Sequence, residues 1–350
     1  MDRYYSCPFK HFVQSGLKLE PRTKAEFDAS SAGIFTHYVL DGVFSEIKSG
    51  IGFRNTDEIL SRTLTSQYVE KFVKEVLLDF EGKSKRFEYL FRHYEANIYA
   101  VVWDALDELR NSGFEPYDLE LDISKFASEH RGFIDRVDGF SHGDKLYLRV
   151  IDYKTRKKAY SFDISDVLQA RDMQMLIYLF ALENHAYEYY GKDIIPSGVL
   201  YVPARDVVLS TSRNITEDEI EKQRRKQMRR SGLIINDKSI IDVMESSEDK
   251  NYLPVKINKD GSPAGDSLIS DKQFKLLSKH VARKLESAKE KILSGDIECI
   301  PYYKSAADNA CTYCEYFPVC GFDEELGDKR NYIGKKTSKE VWEALEKVER

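Results

Sequence analysis

Two segments with alternating apolar residues, joined by a short turn sequence, limit the possible folds of this chain most strongly. Residues 132–140 and 145–155 both alternate, and the sequence between them reads Ser-His-Gly-Asp, a composition typical of turns. The pair therefore predicts a β-hairpin. Side chains two apart in a strand share a face, so Asp152 and Lys154 are expected on one face. That face also carries three apolar residues, Leu146, Leu148 and Val150.

The first strand of the predicted hairpin carries another acidic residue. Asp135 lies between Phe133 and Val137, on the face expected to point to the core. The hairpin can bring Asp135 next to Asp152. Charges at the end of an apolar face are costly to bury unless they are paired or bind a metal. Two close carboxylates repel each other, and a divalent cation relieves that repulsion.

This combination of residues predicts a site that cleaves phosphodiesters. Asp135 and Asp152 supply the oxygen ligands that Mg²⁺ or Mn²⁺ takes, and such a cation activates water and polarises a phosphate. Lys154 is expected to orient or deprotonate the water, or to stabilise charge on the phosphate. A structural salt bridge on the hairpin is the alternative interpretation. The position of Asp135 favours the metal site.

The rest of the sequence predicts an α/β fold with a mixed central sheet flanked by helices. Helices are predicted at 24–48, 58–80, 87–110, 163–190 (ended by Gly191), 216–230 and 271–294, and further strands at 117–123, 194–202 and 206–210. The expected organisation is a single domain over 1–330, comprising a helical part (20–112), a core (115–210), an insert (211–270) and a cysteine-rich segment (299–325) joined by Cys7, before a helical tail (331–350).

Composition narrows the setting of the protein. The chain has 350 residues, 42% hydrophobic, and a net charge of −6, which argues mildly against nucleic acid but leaves local basic patches possible. No apolar run is long enough to span a membrane, and no signal peptide is visible, so we expect a cytoplasmic protein without a membrane partner. The first residues resemble the interior of a longer protein, and we expect an excised domain. No phosphate-binding loop of the ATPase type is present.

The residues around the hairpin resemble the RecB-like branch of the PD-(D/E)XK nucleases. The matching strings are Gly-Phe-Ile-Asp-Arg-Val-Asp (132–138) and Asp-Tyr-Lys (152–154). The resemblance implies a restriction-endonuclease-like core. It also implies a helical Gln-x-x-x-Tyr motif, matched by Gln174 and Tyr178, that contacts DNA or orders the metal site. A Gly-x-x-x-His motif is matched by Gly33 and His37, with His37 as a metal ligand or neighbour. Glu120 is a further acidic candidate.

Five cysteines form an odd set. Cys311, Cys314 and Cys320 follow the spacing C-x2-C-x5-C, while Cys7 lies near the other end of the chain. One cysteine plus three disfavours zinc, which usually takes two close pairs, but zinc and free thiols stay open. The layout resembles the iron–sulfur nuclease domains of the AddB family. The resemblance implies a 4Fe–4S cluster that joins the two ends of the domain. Cys299 is expected to be a buried small residue.

The same resemblance implies a metal-dependent exonuclease that acts on single-stranded DNA ends in double-strand-break repair, with an AddA-like helicase–nuclease as its partner. A stand-alone iron–sulfur exonuclease of the CRISPR-adaptation type and an inactive DNA-binding scaffold are the alternatives. Basic residues at two places could track phosphates without reading bases. The candidates for DNA contact are Tyr153, Arg156, Lys157, Lys158, Arg224 and Arg225.

Overall fold

The computed structural model describes residues 1–20, 27–127, 131–155, 160–205, 207, 209 and 216–348. Its α-helices are α1 (Asp2–Ser6), α2 (Pro8–His11), α3 (Ala29–Ser49), α4 (Glu58–Glu75), α5 (Lys85–Arg110), α6 (Ile164–Leu168), α7 (Gln174–His185), α8 (Tyr187–Tyr190), α9 (Glu217–Met228), α10 (Lys238–Met244), α11 (Asp271–Leu293), α12 (Phe317–Cys320) and α13 (Ser338–Val348). Its strands are β1 (Glu115–Asp122), β2 (Phe133–His142), β3 (Lys145–Lys154), β4 (Asp193–Pro203), β5 (Ser231–Ile235), β6 (Lys256–Ile257), β7 (Pro263–Ala264), β8 (Leu268–Ile269), β9 (Tyr302–Ser305), β10 (Asp308–Asn309) and β11 (Asn331–Tyr332).

The chain divides into two compact units. The first unit comprises Met1–Lys24, Asp163–Ile177 and Asp271–Arg350, and the second comprises Ala25–Phe162 and Tyr178–Ser270. In the described part of the chain, no helix combines the length and the apolar character needed to cross a lipid bilayer.

A mixed sheet forms the centre of the second unit. Its strand order in the described chain is β1-β2-β3-β4-β5-β8. Strands β1, β2 and β3 are antiparallel neighbours, β3 and β4 are parallel, β4 and β5 are antiparallel, and β5 and β8 are parallel. This confirms the predicted α/β class with a mixed central sheet. Strand β5 was not predicted, and together with β8 it brings part of the segment 211–270 into the sheet. The predicted strand 206–210 lies mostly outside the described residues.

The predicted hairpin is confirmed. Strands β2 and β3 pair from Arg136 opposite Ile151 to His142 opposite Lys145, and the turn between them contains Gly143 at φ +59°. The hairpin is buried on both faces over its middle, because β3 is an interior strand between β2 and β4. One expectation was wrong: Phe133 does not point to the core but is 59% exposed.

Three helices of the second unit pack through aromatic side chains. Phe35 of α3 contacts Phe72 of α4 and Phe91 of α5, with ring centroids 5.1 Å and 5.0 Å apart. Asp28 caps α3 by accepting the Ser31 N–H at 2.8 Å. The predicted helices at 58–80 and 87–110 correspond to α4, which ends at Glu75, and α5. The first residues of the helix predicted at 24–48 lie outside the described residues.

A buried network of charges joins α5 to the hairpin. Glu108, Arg136, Asp138 and Arg149 are all fully buried. Arg136 Nε lies 2.8 Å from Asp138 Oδ1, and Arg149 Nη2 lies 3.1 Å from Glu108 Oε1. Arg136 also donates to Tyr153 Oη at 2.7 Å. Because a buried charge without a partner is strongly destabilising, this network holds the helix in one position against the two strands.

The long helix predicted at 163–190 was wrong. The chain forms α6, α7 and α8 instead, and between α6 and α7 both Ala170 and Asp172 have positive φ, +59° and +55°. Left-handed residues cannot continue a right-handed helix, so the apolar periodicity concealed a break. The predicted end at Gly191 is confirmed, since Gly191 is left-handed at the end of α8.

The first unit brings together segments from both ends of the chain. Tyr4 Oη donates to the Asp296 carboxylate at 2.6 Å, the Phe9 N–H donates to the Glu298 carbonyl at 3.2 Å, and Tyr316 Oη donates to the Leu19 carbonyl at 2.6 Å. A small sheet of order β10-β9-β11 lies beside the cysteine-rich segment in the sequence. The tail forms α13 and packs against α6 and α11 of the same unit.

Candidate metal centre

Three side chains from three different elements converge in the second unit. His37 of α3 has its Nδ1 3.4 Å from Glu120 Oε1 of β1 and 3.4 Å from Asp135 Oδ1 of β2. Their potential ligand atoms all lie within 4.8 Å of one another. An imidazole and two carboxylates, each half-buried, form a donor set that suits a divalent cation.

The electrostatics of this cluster favour a positive charge at its centre. Burial lowers the pKa of His37, but the hydrogen bonds and charges of Asp135 and Glu120 outweigh it and raise that pKa to about 10. The imidazole therefore holds a proton when no cation neutralises the carboxylates. Asp41, one helical turn after His37, lines the same small cavity. Burial and the charge of Glu120 raise the pKa of Asp41.

Glu120 is held in an unusual backbone conformation. Its φ is +44°, in the left-handed region that a glutamate rarely adopts. Its two neighbours in β1 pair with the two neighbours of Asp135 in β2, so the two carboxylates lie across the strands from each other. Such strain persists only where the surrounding structure imposes it, often at functional sites. Sequence reasoning placed little weight on Glu120 and missed Asp41, although Asp41 lies four residues after His37 and therefore on the same helix face.

Asp152 and Lys154 lie at the same end of the hairpin. Ile151 pairs with Arg136, so the register continues to place Asp152 opposite Asp135. Lys154 Nζ lies 2.7 Å from Asp152 Oδ2, and the two side chains are 26% and 18% exposed. Burial raises the pKa of Asp152, and Lys154 only partly offsets this. The Asp152 carboxylate is thus directed to Lys154 and is outside the group of three converging ligands.

Two tyrosines surround the ammonium group of Lys154. Its Nζ lies 5.3 Å from the ring centroid of Tyr160 and 5.1 Å from that of Tyr201. Cation–π contacts of this kind hold an ammonium in place while leaving it charged. Neither tyrosine was singled out from the sequence, because they follow the hairpin at separations that carry no periodic signal.

Tyr153 corrects a prediction about DNA contact. It is only 6% exposed, and its hydroxyl accepts a hydrogen bond from the buried Arg136. Its ring is therefore part of the core and is not available to a base. Its backbone N–H has a different role, since it donates to Asp135 Oδ2 at 2.8 Å and so fixes that carboxylate.

The Gln-x-x-x-Tyr motif falls at the start of α7. Gln174 is the first residue of the helix and is exposed, whereas Tyr178 is 4% exposed. Tyr178 Oη packs so closely against Gly132 that a Cβ there would lie 2.1 Å from the oxygen. Gly132 also has a φ of +143°. The strand that carries Asp135 therefore begins at a position where only glycine fits both the backbone and the tyrosine.

The predicted basic patches are not joined to this cluster. Arg156, Lys157 and Lys158 lie outside the described residues. Arg224 and Arg225 are exposed on α9, and Arg225 Nε lies 2.9 Å from Glu221. They line a separate cavity of about 450 Å³ that shares no lining residue with the one at His37.

The four cysteines predicted as cluster ligands come together in the first unit. Cys7 is buried immediately before α2, and the charge of Cys311 acts on it. Cys314 and Cys320 act in turn on Cys311. Arg330 Nη1 lies 3.7 Å from Cys311 Sγ, which favours a thiolate there. This donor set fits an iron–sulfur cluster, and it also fits zinc.

Cys299 is not simply a small residue of the core. It is half-buried, and its thiol lies within hydrogen-bonding reach of the thiols of Cys7 and Cys320. Its position in the sequence gave no indication of this, because it stands outside the C-x2-C-x5-C spacing.

A mixed sheet with acidic side chains, a histidine and a lysine gathered at one end of neighbouring strands defines the class of metal-dependent phosphodiesterases. The comparison with known families narrows this class. The sequence profile of the PD-(D/E)XK nuclease superfamily matches residues 1–321, and the chain belongs to this superfamily. Nucleases of this kind generally use divalent metals.

Similar curated proteins carry one common name. The chain is 31% identical over 366 residues to a protein of Clostridium novyi (strain NT) that is named as the B-type subunit of an ATP-dependent helicase/deoxyribonuclease. It is 32% identical to proteins of the same name from Thermoanaerobacter sp. (strain X514) and Clostridium botulinum (strain Loch Maree / Type A3). Each match covers 99% of this chain but only 32% of the relative, so the chain spans about a third of their length.

Proposed function

We propose that this chain is the nuclease part of a helicase–nuclease and hydrolyses phosphodiester bonds in single-stranded DNA ends during double-strand-break repair. The convergence of His37, Glu120 and Asp135 next to the Asp152–Lys154 pair is the observation that carries the proposal. Membership of the nuclease superfamily and the name of the relatives support it. The proposed partner is an AddA-like protein that unwinds DNA with ATP.

Each side chain of the cluster has a proposed role. When bound by His37, Glu120 and Asp135, Mg²⁺ or Mn²⁺ would polarise the scissile phosphate and lower the pKa of a water. Asp152 is the proposed further ligand. Lys154, held by its tyrosines, would orient the attacking water or stabilise the charge on the phosphate.

Other residues would support this chemistry from outside the cluster. Gln174 and Tyr178 are proposed to contact the DNA or to order the metal site. Phosphate contacts from residues 156–158 and from Arg224 and Arg225 stay predictions. Phe133 is exposed two residues before Asp135 and so offers a surface on which a base can stack.

The second proposed cofactor is a 4Fe–4S cluster bound by Cys7, Cys311, Cys314 and Cys320. One thiol near the amino terminus and three close together near the carboxyl terminus support this proposal over zinc. A visible absorption spectrum with iron and zinc analysis on anaerobically purified protein tests it. A brown, iron-loaded sample is expected. A colourless sample that contains zinc would replace the cluster with a zinc site.

Substitution within the hairpin tests the nuclease proposal. Asp152→Asn and Lys154→Met should each abolish Mg²⁺- or Mn²⁺-dependent cleavage of end-labelled single-stranded DNA, while circular dichroism shows a folded protein. Asp144→Asn and Lys145→Met are matched controls, because both residues are exposed at the other end of the same hairpin. They should cleave like the wild type. Equal cleavage by all five proteins, or cleavage that persists in EDTA, would refute the proposal.

A further inference from the structure

The cysteine site contains one more thiol than a four-cysteine cluster takes. Cys299 lies within hydrogen-bonding reach of Cys7 and Cys320, and both of these are proposed cluster ligands. A thiol in this position either is only a packing residue or can react with its neighbours. The surrounding contacts distinguish between the two neighbours.

The backbone holds Cys299 beside Cys7 without any metal. The Phe9 N–H donates to the Glu298 carbonyl, so the residues after Cys7 run next to the residue before Cys299. The hydrogen bond from Tyr4 to Asp296 extends this alignment on the other side of Cys7. Cys320 is held differently, because its Sγ donates to the Phe317 carbonyl of its own short helix.

We propose that Cys299 is a reserve partner of Cys7 and that a peroxide joins the two in a disulfide when the site is free of metal. Hydrogen peroxide oxidises one thiol to a sulfenic acid and leaves as water. The thiolate of the other cysteine attacks that sulfur, the S–O bond breaks, and a second water leaves. Two thiols and one peroxide thus give one disulfide and two waters.

This disulfide would preserve the connection that the metal otherwise provides. The helices α1 and α2 would stay attached to the segment before β9, while Cys311, Cys314 and Cys320 would keep free thiols. Reduction by a dithiol would return Cys7 to the ligand set. The inference rests on the proposed metal site for its purpose, but the disulfide itself needs only the metal-free protein.

Disulfide mapping tests the proposal. Wild type, Cys299→Ser and Cys7→Ser are stripped of metal by a chelator without oxygen, treated with hydrogen peroxide, alkylated and digested for mass spectrometry. The linked Cys7–Cys299 peptide should be the main disulfide in the wild type and absent from both variants. A Cys299–Cys320 or Cys311–Cys314 link as the main product, or a Cys299 that is mostly alkylated after oxidation, would overturn it.

Iron reconstitution of the same samples separates this inference from the cluster proposal. Cys299→Ser should take up as much iron as the wild type, since Cys299 is not one of the four proposed ligands, and Cys7→Ser should take up less. If iron uptake falls in Cys299→Ser to the level of Cys7→Ser, Cys299 is a permanent ligand and the reserve role is refuted. If no protein takes up iron but the Cys7–Cys299 link forms, the cluster proposal fails and the disulfide stands.

Discussion

Glu120 is held at a backbone angle that a glutamate would not choose by itself, and it faces two other potential ligands there. The cost of such a conformation is about 1–3 kcal/mol. The rest of β1 pairs regularly with β2, so the strain is confined to the residue that aims a carboxylate at His37. Function is therefore the simplest reason for its retention.

Substitution at Glu120 tests this strain. Glu120→Gly and Glu120→Ala both remove the carboxylate, but only glycine tolerates a φ of +44° without strain. In urea unfolding without divalent metal, Glu120→Gly should be more stable than Glu120→Ala by about 1 kcal/mol, the reverse of the order normal in strands. Both should bind Mn²⁺ more weakly than the wild type. A Glu120→Ala protein as stable as Glu120→Gly would show that the strain is absent.

The elements differ in how far the sequence predicted them. Helices α3, α5 and α11 and the β2–β3 hairpin were predicted because each has a long periodic apolar pattern or a clear turn sequence. The break between α6 and α7 was not, since Ala170 and Asp172 adopt left-handed angles that neither residue signals. Strand β5 was missed for a related reason. It has only five residues, and its position beside β4 depends on long-range pairing.

A buried histidine links two elements of the first unit. His280 of α11 has its Nε2 3.1 Å from the Val167 carbonyl of α6. Burial lowers the pKa of His280 to about 4, aided by the charges of Lys284 and Arg283 and opposed by the hydrogen bond to Val167. Because this pKa lies below the unfolded value of about 6.5, the unfolded state binds the proton more readily. The contribution of His280 to stability is complete above pH 6.5 and is lost as the pH falls towards 4.

The expected pH dependence can be measured directly. Between pH 6.5 and pH 4 the protein should lose up to about 3 kcal/mol of unfolding free energy through this one group. His280→Asn, which cannot titrate, should show a shallower loss over the same interval. His142→Asn serves as the control, since His142 is exposed on the hairpin turn and should leave the profile unchanged. A wild-type profile that superimposes on that of His280→Asn would contradict the assignment.

Taken as a whole, the molecule connects distant parts of the chain by two means. Hydrogen bonds join residues 4–19 to residues 284–316 in the first unit, and the cysteines gather at the same ends of the sequence. A covalent or metal link across such a long loop stabilises the folded state by restricting the unfolded chain.

Removal of the metal should therefore loosen the ends without unfolding the protein. A strong iron chelator is expected to lower the free energy of unfolding by roughly 2–5 kcal/mol, the range for a long-loop crosslink. It should also increase proteolytic cleavage within residues 1–20 and 299–333. The hydrogen bonds of Tyr4, Phe9 and Tyr316 should keep part of the protection. Identical cleavage patterns before and after chelation would contradict a structural role for the metal.

The sequence by itself determined the α/β class, the hairpin and the residue types of the site, because alternation, helical periodicity and cysteine spacing are local properties of the chain. Only the tertiary structure decided which acidic residue faces which partner. Asp152 pairs with Lys154, whereas Glu120 and His37 join Asp135, and Cys299 joins the thiols. These choices depend on strand register, on one left-handed residue and on contacts between the chain ends. Each is fixed by long-range packing and not by the residues nearby in sequence.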